Sequence, residues 1–205
     1  VKTIRLATPD DAAAAAEIYA AEVAETSVTF EDRPPGAEEM RARIVKTLGF
    51  APWLVCVEGG LVTGYAYAAP HHERAAYRWS VDVSVYVRRA ARREGVGRAL
   101  YRSLLALLRL QGFCVAHACI TVPNPASIGL HEAIGFRPVG LFPRVGWKHD
   151  AWHDVGYWQL ELRDRQGPPP ELVLGVEALG RLPGFAAALS AGSDPLPSAA
   201  PAPGR

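Results

Sequence analysis

Residues 81–87 read Val-Asp-Val-Ser-Val-Tyr-Val, and they constrain the fold more than any other stretch of the chain. Val81, Val83, Val85 and Val87 share one face while Asp82, Ser84 and Tyr86 share the other, the period of a strand. A few residues later comes Arg92-Arg93-Glu94-Gly95-Val96-Gly97, a basic, glycine-bearing turn. Beyond it Val96, Leu100, Leu104, Leu107, Leu108 and Gln111 fall on one helical stripe, with Arg98, Arg102 and Arg109 elsewhere and Gly112 at the C′ position. A strand that enters such a turn brings backbone N–H groups and a helix N-terminus to one point, which suits an anion. Asp82 lies just upstream, so a phosphate-bearing ligand beside an acid is one reading. The other is that Gly95 and Gly97 only make a tight connection. Two phosphate motifs are excluded: the dinucleotide fingerprint would need glycine where Leu100 stands, and no Gly-Lys-Ser/Thr is present.

The rest of the first 165 residues reads as alternating elements. Ile4-Arg5-Leu6 is an edge strand, and Thr8-Pro9-Asp10-Asp11 starts a helix with an N-cap, a proline and first-turn acids. A second helix is predicted over 37–48. Two strands, 53–57 and 61–69, join across Glu58-Gly59-Gly60 as a hairpin. Further strands are predicted over 80–87, 115–122, 136–145 and 153–162. A short helix over 126–134 ends at Gly135. This order gives an α+β, or mixed α/β, fold with a central sheet flanked by helices.

A chain of 205 residues with 49% hydrophobic and 21% charged residues is long enough for one domain with a sizeable core. A net charge of +1 gives no bulk attraction to nucleic acid or an anionic membrane. No apolar run matches a membrane span or a signal peptide. Cys56, Cys114 and Cys119 lack CxxC spacing and read as buried small hydrophobes in a reducing cytosol, not as metal ligands. All five tryptophans precede Arg165, whereas eight of the seventeen prolines follow it. Residues 1–165 therefore read as the folded domain and 166–205 as a Pro/Ala/Gly-rich tail, largely disordered, with one apolar patch at 172–182 able to dock or form a marginal helix.

The turn at 92–97 fits Arg/Gln-x-x-Gly-x-Gly/Ala, and through it the chain resembles the GNAT acetyltransferase superfamily. Segments 52–55, 64–70, 74–87, 111–113, 123–124, 131–136, 146–149 and 152–160 are similar, in order, to the phosphinothricin N-acetyltransferase branch. The likeness runs over about 4–162. It implies the GNAT acyl-CoA N-acyltransferase fold, a central, mixed, mostly antiparallel twisted sheet flanked by helices. It also implies transfer of acetyl from acetyl-CoA, in a ternary complex, to the α-amine of a phosphinothricin-like or methionine sulfoximine-like amino acid. A homodimer in the cytoplasm goes with it. Two alternatives remain: an acetyltransferase for another small amine, such as an aminoglycoside or polyamine, and a non-catalytic acyl-CoA-binding domain.

The resemblance also assigns residues. Arg92, Arg93, Glu94, Gly95, Val96, Gly97 and Arg98 would cradle the pyrophosphate of acetyl-CoA. Main-chain groups of Val85, Tyr86 and Val87 would pair with the pantetheine arm, on a strand that family members splay from its neighbour with a bulge. Asp82 stands where the family has glutamate, one methylene longer, and reads as the base or as a structural acid. His131 would move a proton, or be a packed helix histidine. Asn124 and Ser127 would touch the cofactor, with Asn124 equally readable as an N-cap. Arg74, Tyr77, Arg78, Lys148 and His153 would select the substrate, guanidinium being suited to a carboxylate. His72 and Phe136 stand where relatives carry other residues. Trp147, Trp152 and Trp158 read as core or dimer-face residues.

Overall fold

The computed structural model describes residues 2–164 and 166–193. Seven strands form one sheet: β1 (Thr3–Leu6), β2 (Trp53–Glu58), β3 (Leu61–Pro70), β4 (Ser80–Val87), β5 (Val115–Val122), β6 (Arg137–Lys148) and β7 (Ala151–Glu161), in the order β1-β2-β3-β4-β5-β7-β6. Every neighbouring pair is antiparallel except β4–β5. The β2–β3 hairpin turns on Gly59 and Gly60, both at positive φ, as the twist of a two-residue turn requires. At the β6–β7 hairpin His149 and Asp150 take the same left-handed conformation without glycine.

Helices α1 (Ala12–Glu25), α2 (Ala37–Leu48), α3 (Val96–Gln111) and α4 (Pro125–Ile134) complete the domain. The period-two pattern of β4 sorts the two cores. Its valines belong to the layer shared with α3, where Leu100, Leu104, Leu107 and Leu108 are fully buried. Tyr86, on the other face, borders a second layer in which Ile18, Met40 and Ile44 from α1 and α2 meet Trp53, Val55 and Tyr65.

The parallel ladder between β4 and β5 is short. It runs Ser80↔Val115, Val81↔Ala116, Asp82↔His117 and stops. Yet β4 stays paired with β3 as far as Val87↔Gly64, and β5 stays paired with β7 as far as Val122↔Asp154. Each strand is held by a full antiparallel partner on its outer edge, so the two diverge from the Asp82–His117 pair. The sheet is thus forked without the expected bulge, for the β3–β4 register has no shift. Main-chain groups beyond the fork on β4 have no partner strand on that side. Arg88 N–H donates to Thr63 O at 2.8 Å, and by the alternation of an antiparallel ladder the groups of Val83, Val85 and Val87 turn toward the open edge.

The expected disordered tail does not describe residues 166–193, which lie on the domain. Two short helices, α5 (Val176–Leu179) and α6 (Phe185–Ser190), bury Val176 and Leu179, and α6 packs along α3. Polar residues of α3 anchor the segment. Gln111 Nε2 donates to Leu174 O at 2.5 Å, and Ser103 Oγ donates to Leu189 O at 2.6 Å. Trp79 Nε1 donates to Pro170 O at 2.9 Å. Leu179 joins the core, Val173, Leu182, Phe185 and Leu189 pack against it, and main-chain carbonyls of the segment accept from α3 and Trp79. The remainder of that expectation, 194–205, and the boundary residue Arg165 lie outside the described residues. Cys56 and Cys114 are buried, whereas Cys119 is exposed, contrary to expectation, because β5 presents it on the face that α1 and α2 leave uncovered.

Candidate active site

The turn after β4 is built from left-handed backbone. Arg93 has φ 64° and Gly95 φ 81°, and α3 begins at Val96. Alternation of this kind turns successive N–H groups to one side, and the first N–H groups of α3 have no intrahelical acceptor. A side chain at Gly95 would meet nothing within 4 Å, so the concavity is open. Gly97 is different: a Cβ there would lie 3.3 Å from Leu130 Cδ2 and 3.6 Å from Val87 Cγ2, so the missing side chain lets α3 approach β4 and α4. Gly95 thus leaves the turn open, whereas Gly97 makes the tight connection.

The charges around the turn are unevenly available. Arg92 is paired with buried Glu22 of α1, and its Nε donates to Val87 O at 3.3 Å, which fixes the turn to α1 and β4. Glu94 is held by Lys2, whose Nζ donates to the Glu94 carbonyl at 2.6 Å. Arg93 is exposed and Arg98 half-buried at the start of α3. Tyr86 turns away from the edge and packs against Tyr19 and Tyr65 at centroid distances of 4.9 and 5.3 Å.

Asp82 sits at the apex of the fork, its side chain 40% exposed. His71 Nδ1 is 2.8 Å from Asp82 Oδ1. The His71 ring stacks on His117 at 4.1 Å with an interplanar angle of 16°, and Tyr77 meets it at 6.0 Å. Cys119 and Tyr157, paired across β5 and β7, lie within electrostatic reach of Asp82. Desolvation, reinforced by Cys119 and Asp82, pushes the Tyr157 hydroxyl up to about 12. It therefore holds its proton at neutral pH. On the same sheet face a cavity of about 300 Å³ is lined by Trp53, Tyr67, Arg43, Lys46, Ala69 and Pro70, and Ala69 is the direct ladder partner of Asp82.

Other residues singled out in the sequence take structural places. His131 is 4% exposed. Its Nδ1 donates to Ser127 O at 2.8 Å, and its Nε2 lies 3.0 Å from Tyr101 Oη. Burial lowers its pKa, against the Ser127 carbonyl, so the ring is held neutral and Nε2 accepts the tyrosine proton. Both ring nitrogens are thus engaged within a buried site. Asn124 caps α4, its side chain accepting from Ser127 N–H at 3.1 Å. Ser127 Oγ is 3.4 Å from His131 Nδ1.

Lys148 is buried and donates to Val23 O at 2.7 Å and Thr29 O at 2.8 Å. His153 Nε2 lies 2.9 Å from Lys148 O and 3.1 Å from Ser27 Oγ. Both side chains fasten the end of α1 and the loop after it to the β6–β7 hairpin. Phe30 from that loop packs onto Gly146, where any Cβ would overlap its ring. Arg78 lies over the Trp79 ring at 4.2 Å, beside the docked C-terminal segment. Arg74 and Tyr77 are exposed in the 71–79 segment at the fork, Arg74 as the residue before the turn Ala75–Tyr77. His71 and His117, absent from the sequence reading, are therefore the main additions. His117 was findable as the residue in register with Asp82 once β4 and β5 were paired. His71 was not, because it lies past the end of β3.

Residues 4–156 match the model of the acetyltransferase (GNAT) domain. The chain belongs to the GNAT acetyltransferase family. It is an acetyl-CoA-dependent N-acetyltransferase. A phosphinothricin N-acetyltransferase of Streptomyces viridochromogenes is 40% identical over 167 residues, covering 82% of this chain and 90% of that one. An L-methionine sulfoximine/L-methionine sulfone acetyltransferase of Salmonella typhimurium is 37% identical, covering 81% of this chain and 98% of that one. Among solved structures, a GNAT superfamily phosphinothricin acetyltransferase from Sinorhizobium meliloti in complex with acetyl-CoA superposes with TM-score 0.81 at 35% identity, covering 85% of this chain and 96% of that one. The sequence-based family and fold are those found.

Proposed function

We propose that this enzyme acetylates the α-amine of a small amino acid of the phosphinothricin or methionine sulfoximine type. The observation that carries the reading is the forked sheet. A carboxylate stands at its apex, and an unpaired β4 edge leads from there to an open, amide-lined turn. Relatives that act on such amino acids share these segments along most of their length.

The residues present fit acetyl-CoA. Gly95 leaves the concavity open, and a side chain there would fill it. The turn amides at 93–98 would hold the pyrophosphate, with Arg93 and Arg98 adding charge. Main-chain groups of Val85 and Val87 would pair with the pantetheine arm as an added strand. Bound there, acetyl-CoA supplies an acetyl group activated as a thioester. The Asp82–His71 pair takes the proton of the incoming ammonium, since an α-amine is largely protonated near neutrality. An open N–H on β4 stabilises developing negative charge on the carbonyl oxygen. Arg74 receives the substrate carboxylate, and the 300 Å³ cavity beside Ala69 takes its side chain.

Thiol release from acetyl-CoA, measured against a panel of amino acid analogues, amines and peptides, tests the reading. Turnover should be confined to free α-amino acids, and Arg74→Ala should raise KM for them with kcat less affected. Preferred turnover of polyamines or aminoglycosides would overturn it. The exposed β6–β7 surface supports a homodimer as part of the same proposal.

A further inference from the structure

Asp82 is shorter than the acid that the family resemblance leads one to expect, and one of its oxygens is already engaged by His71. We propose that His71, not Asp82, is the proton acceptor of this enzyme, and that Asp82 is the positioning residue that holds the imidazole for the task.

The geometry comes from three elements. β4 supplies the carboxylate, 2.8 Å from His71 Nδ1. β5 supplies the His117 ring in register with Asp82, and His71 lies flat on it at 4.1 Å and 16°. The 3-10 turn at Ala75–Tyr77 brings Tyr77 against the ring at 6.0 Å. An ionised carboxylate only accepts hydrogen bonds, so the Nδ1 contact fixes the proton of the neutral ring on Nδ1 and the lone pair on Nε2. No described residue is hydrogen-bonded to Nε2, and the His71 side chain is 26% exposed at the fork. A base oriented by a third group, with its reactive nitrogen uncommitted, is the arrangement proton abstraction needs. Among the described residues no group of three or more His, Cys, Asp or Glu is arranged to hold a metal ion. Nor does His131 compete for the role, since both of its nitrogens are engaged in a buried site.

The proton balance is simple. The substrate ammonium gives a proton to His71 Nε2, and the lone pair so released forms the bond to the acetyl carbonyl carbon. The carbon–sulfur pair leaves on sulfur, the remaining excess proton on nitrogen neutralises that thiolate, and the imidazolium returns its proton to water.

This inference rests on the proposed transfer to an α-amine, and the full-length protein can test the two separately. Long-range 1H–15N spectra of the imidazoles should show His71 protonated at Nδ1 and bare at Nε2, and Asp82→Asn should remove that preference. A wild-type spectrum with Nε2 protonated overturns the proposal, whatever the variants do. In steady state with the best amine, His71→Gln should lower kcat by about 10²-fold or more and abolish the acidic limb of the pH–rate profile. Acetyl-CoA affinity by calorimetry should stay the same. If His71→Gln keeps the wild-type kcat and acidic limb while Asp82→Asn loses them, the carboxylate is the base and the proposal fails. A raised KM for the amine at unchanged kcat would also sink it, since His71 would then only bind. Failure of every amino acid as substrate counts against the functional reading alone, because the ring's tautomer is measured without one.

Discussion

Single residues were legible in this sequence to the extent that their roles depend on the backbone beside them. Gly95 and Gly97 are examples: the turn needs a left-handed residue at one and a close approach at the other, and both needs arise within a few residues. His131 shows the opposite. Its family position suggested proton transfer, but its environment is completed by Tyr101, which approaches only when α4 packs on α3. A stability effect follows. Burial puts the folded-state pKa of His131 below its unfolded value, so the unfolded chain binds the proton first. Its contribution is complete above the unfolded value, about 6.5, and is lost as pH falls through the folded one. Urea unfolding of the wild type should therefore show stability falling between pH 7.5 and 5.5, and His131→Gln should flatten that slope. His131→Ala should cost about 1–3 kcal/mol from the Tyr101 hydroxyl left without its acceptor, with further loss from packing. An unchanged slope in the glutamine variant would assign the pH dependence elsewhere.

At the scale of elements, the strands of the β2–β3 hairpin, β4 and α3 were readable because each carries its own period and its own punctuation. The fork was not, because it is a property of pairing: nothing within Val81 to Val87 says that β5 will leave after Asp82. The C-terminal segment was misjudged for a related reason. Its proline and glycine content was visible, but its binding surface belongs to α3. A signal did exist in two polar residues, Ser103 and Gln111, that sit within an otherwise apolar stripe and are fully buried. Buried polar groups need partners, and these find main-chain groups of 174, 189 and 192. Ser103 accepts from Gly192 N–H at 3.0 Å as well as donating to Leu189. Ser103→Ala should thus loosen α6 selectively. Limited proteolysis should cut within 181–193 faster than in the wild type, while amide exchange in β4 and β5 stays as before. Equal cleavage rates would mean that apolar contacts alone hold the segment.

On the scale of the whole molecule, the unusual feature is where the apolar surface lies. β6 is the last strand of the sheet, and residues 137–145 are exposed throughout. Val139, Leu141, Phe142, Val145, Trp147 and Trp152 each remain more than half exposed. Edge strands of monomers are normally blunted, and the bulges between Pro138/Gly140 and Phe142/Gly146 do part of that here. They do not remove the apolar side chains, and a contiguous patch of this kind marks a protein–protein contact. A twofold contact through β6 and β7 would bury the patch against itself. It would also bear on the active site, because the β6–β7 hairpin is the element that Lys148 and His153 tie to the loop after α1. Sedimentation of the full-length protein at micromolar concentration should therefore give a dimer. Leu141→Arg should give a folded monomer with acetyl-CoA affinity retained, because the turn proposed to hold the pyrophosphate lies between β4 and α3, away from β6. Its KM for the amine should rise as the hairpin loses its support. A wild-type monomer would refute the contact, and a Leu141→Arg dimer would place it on another face.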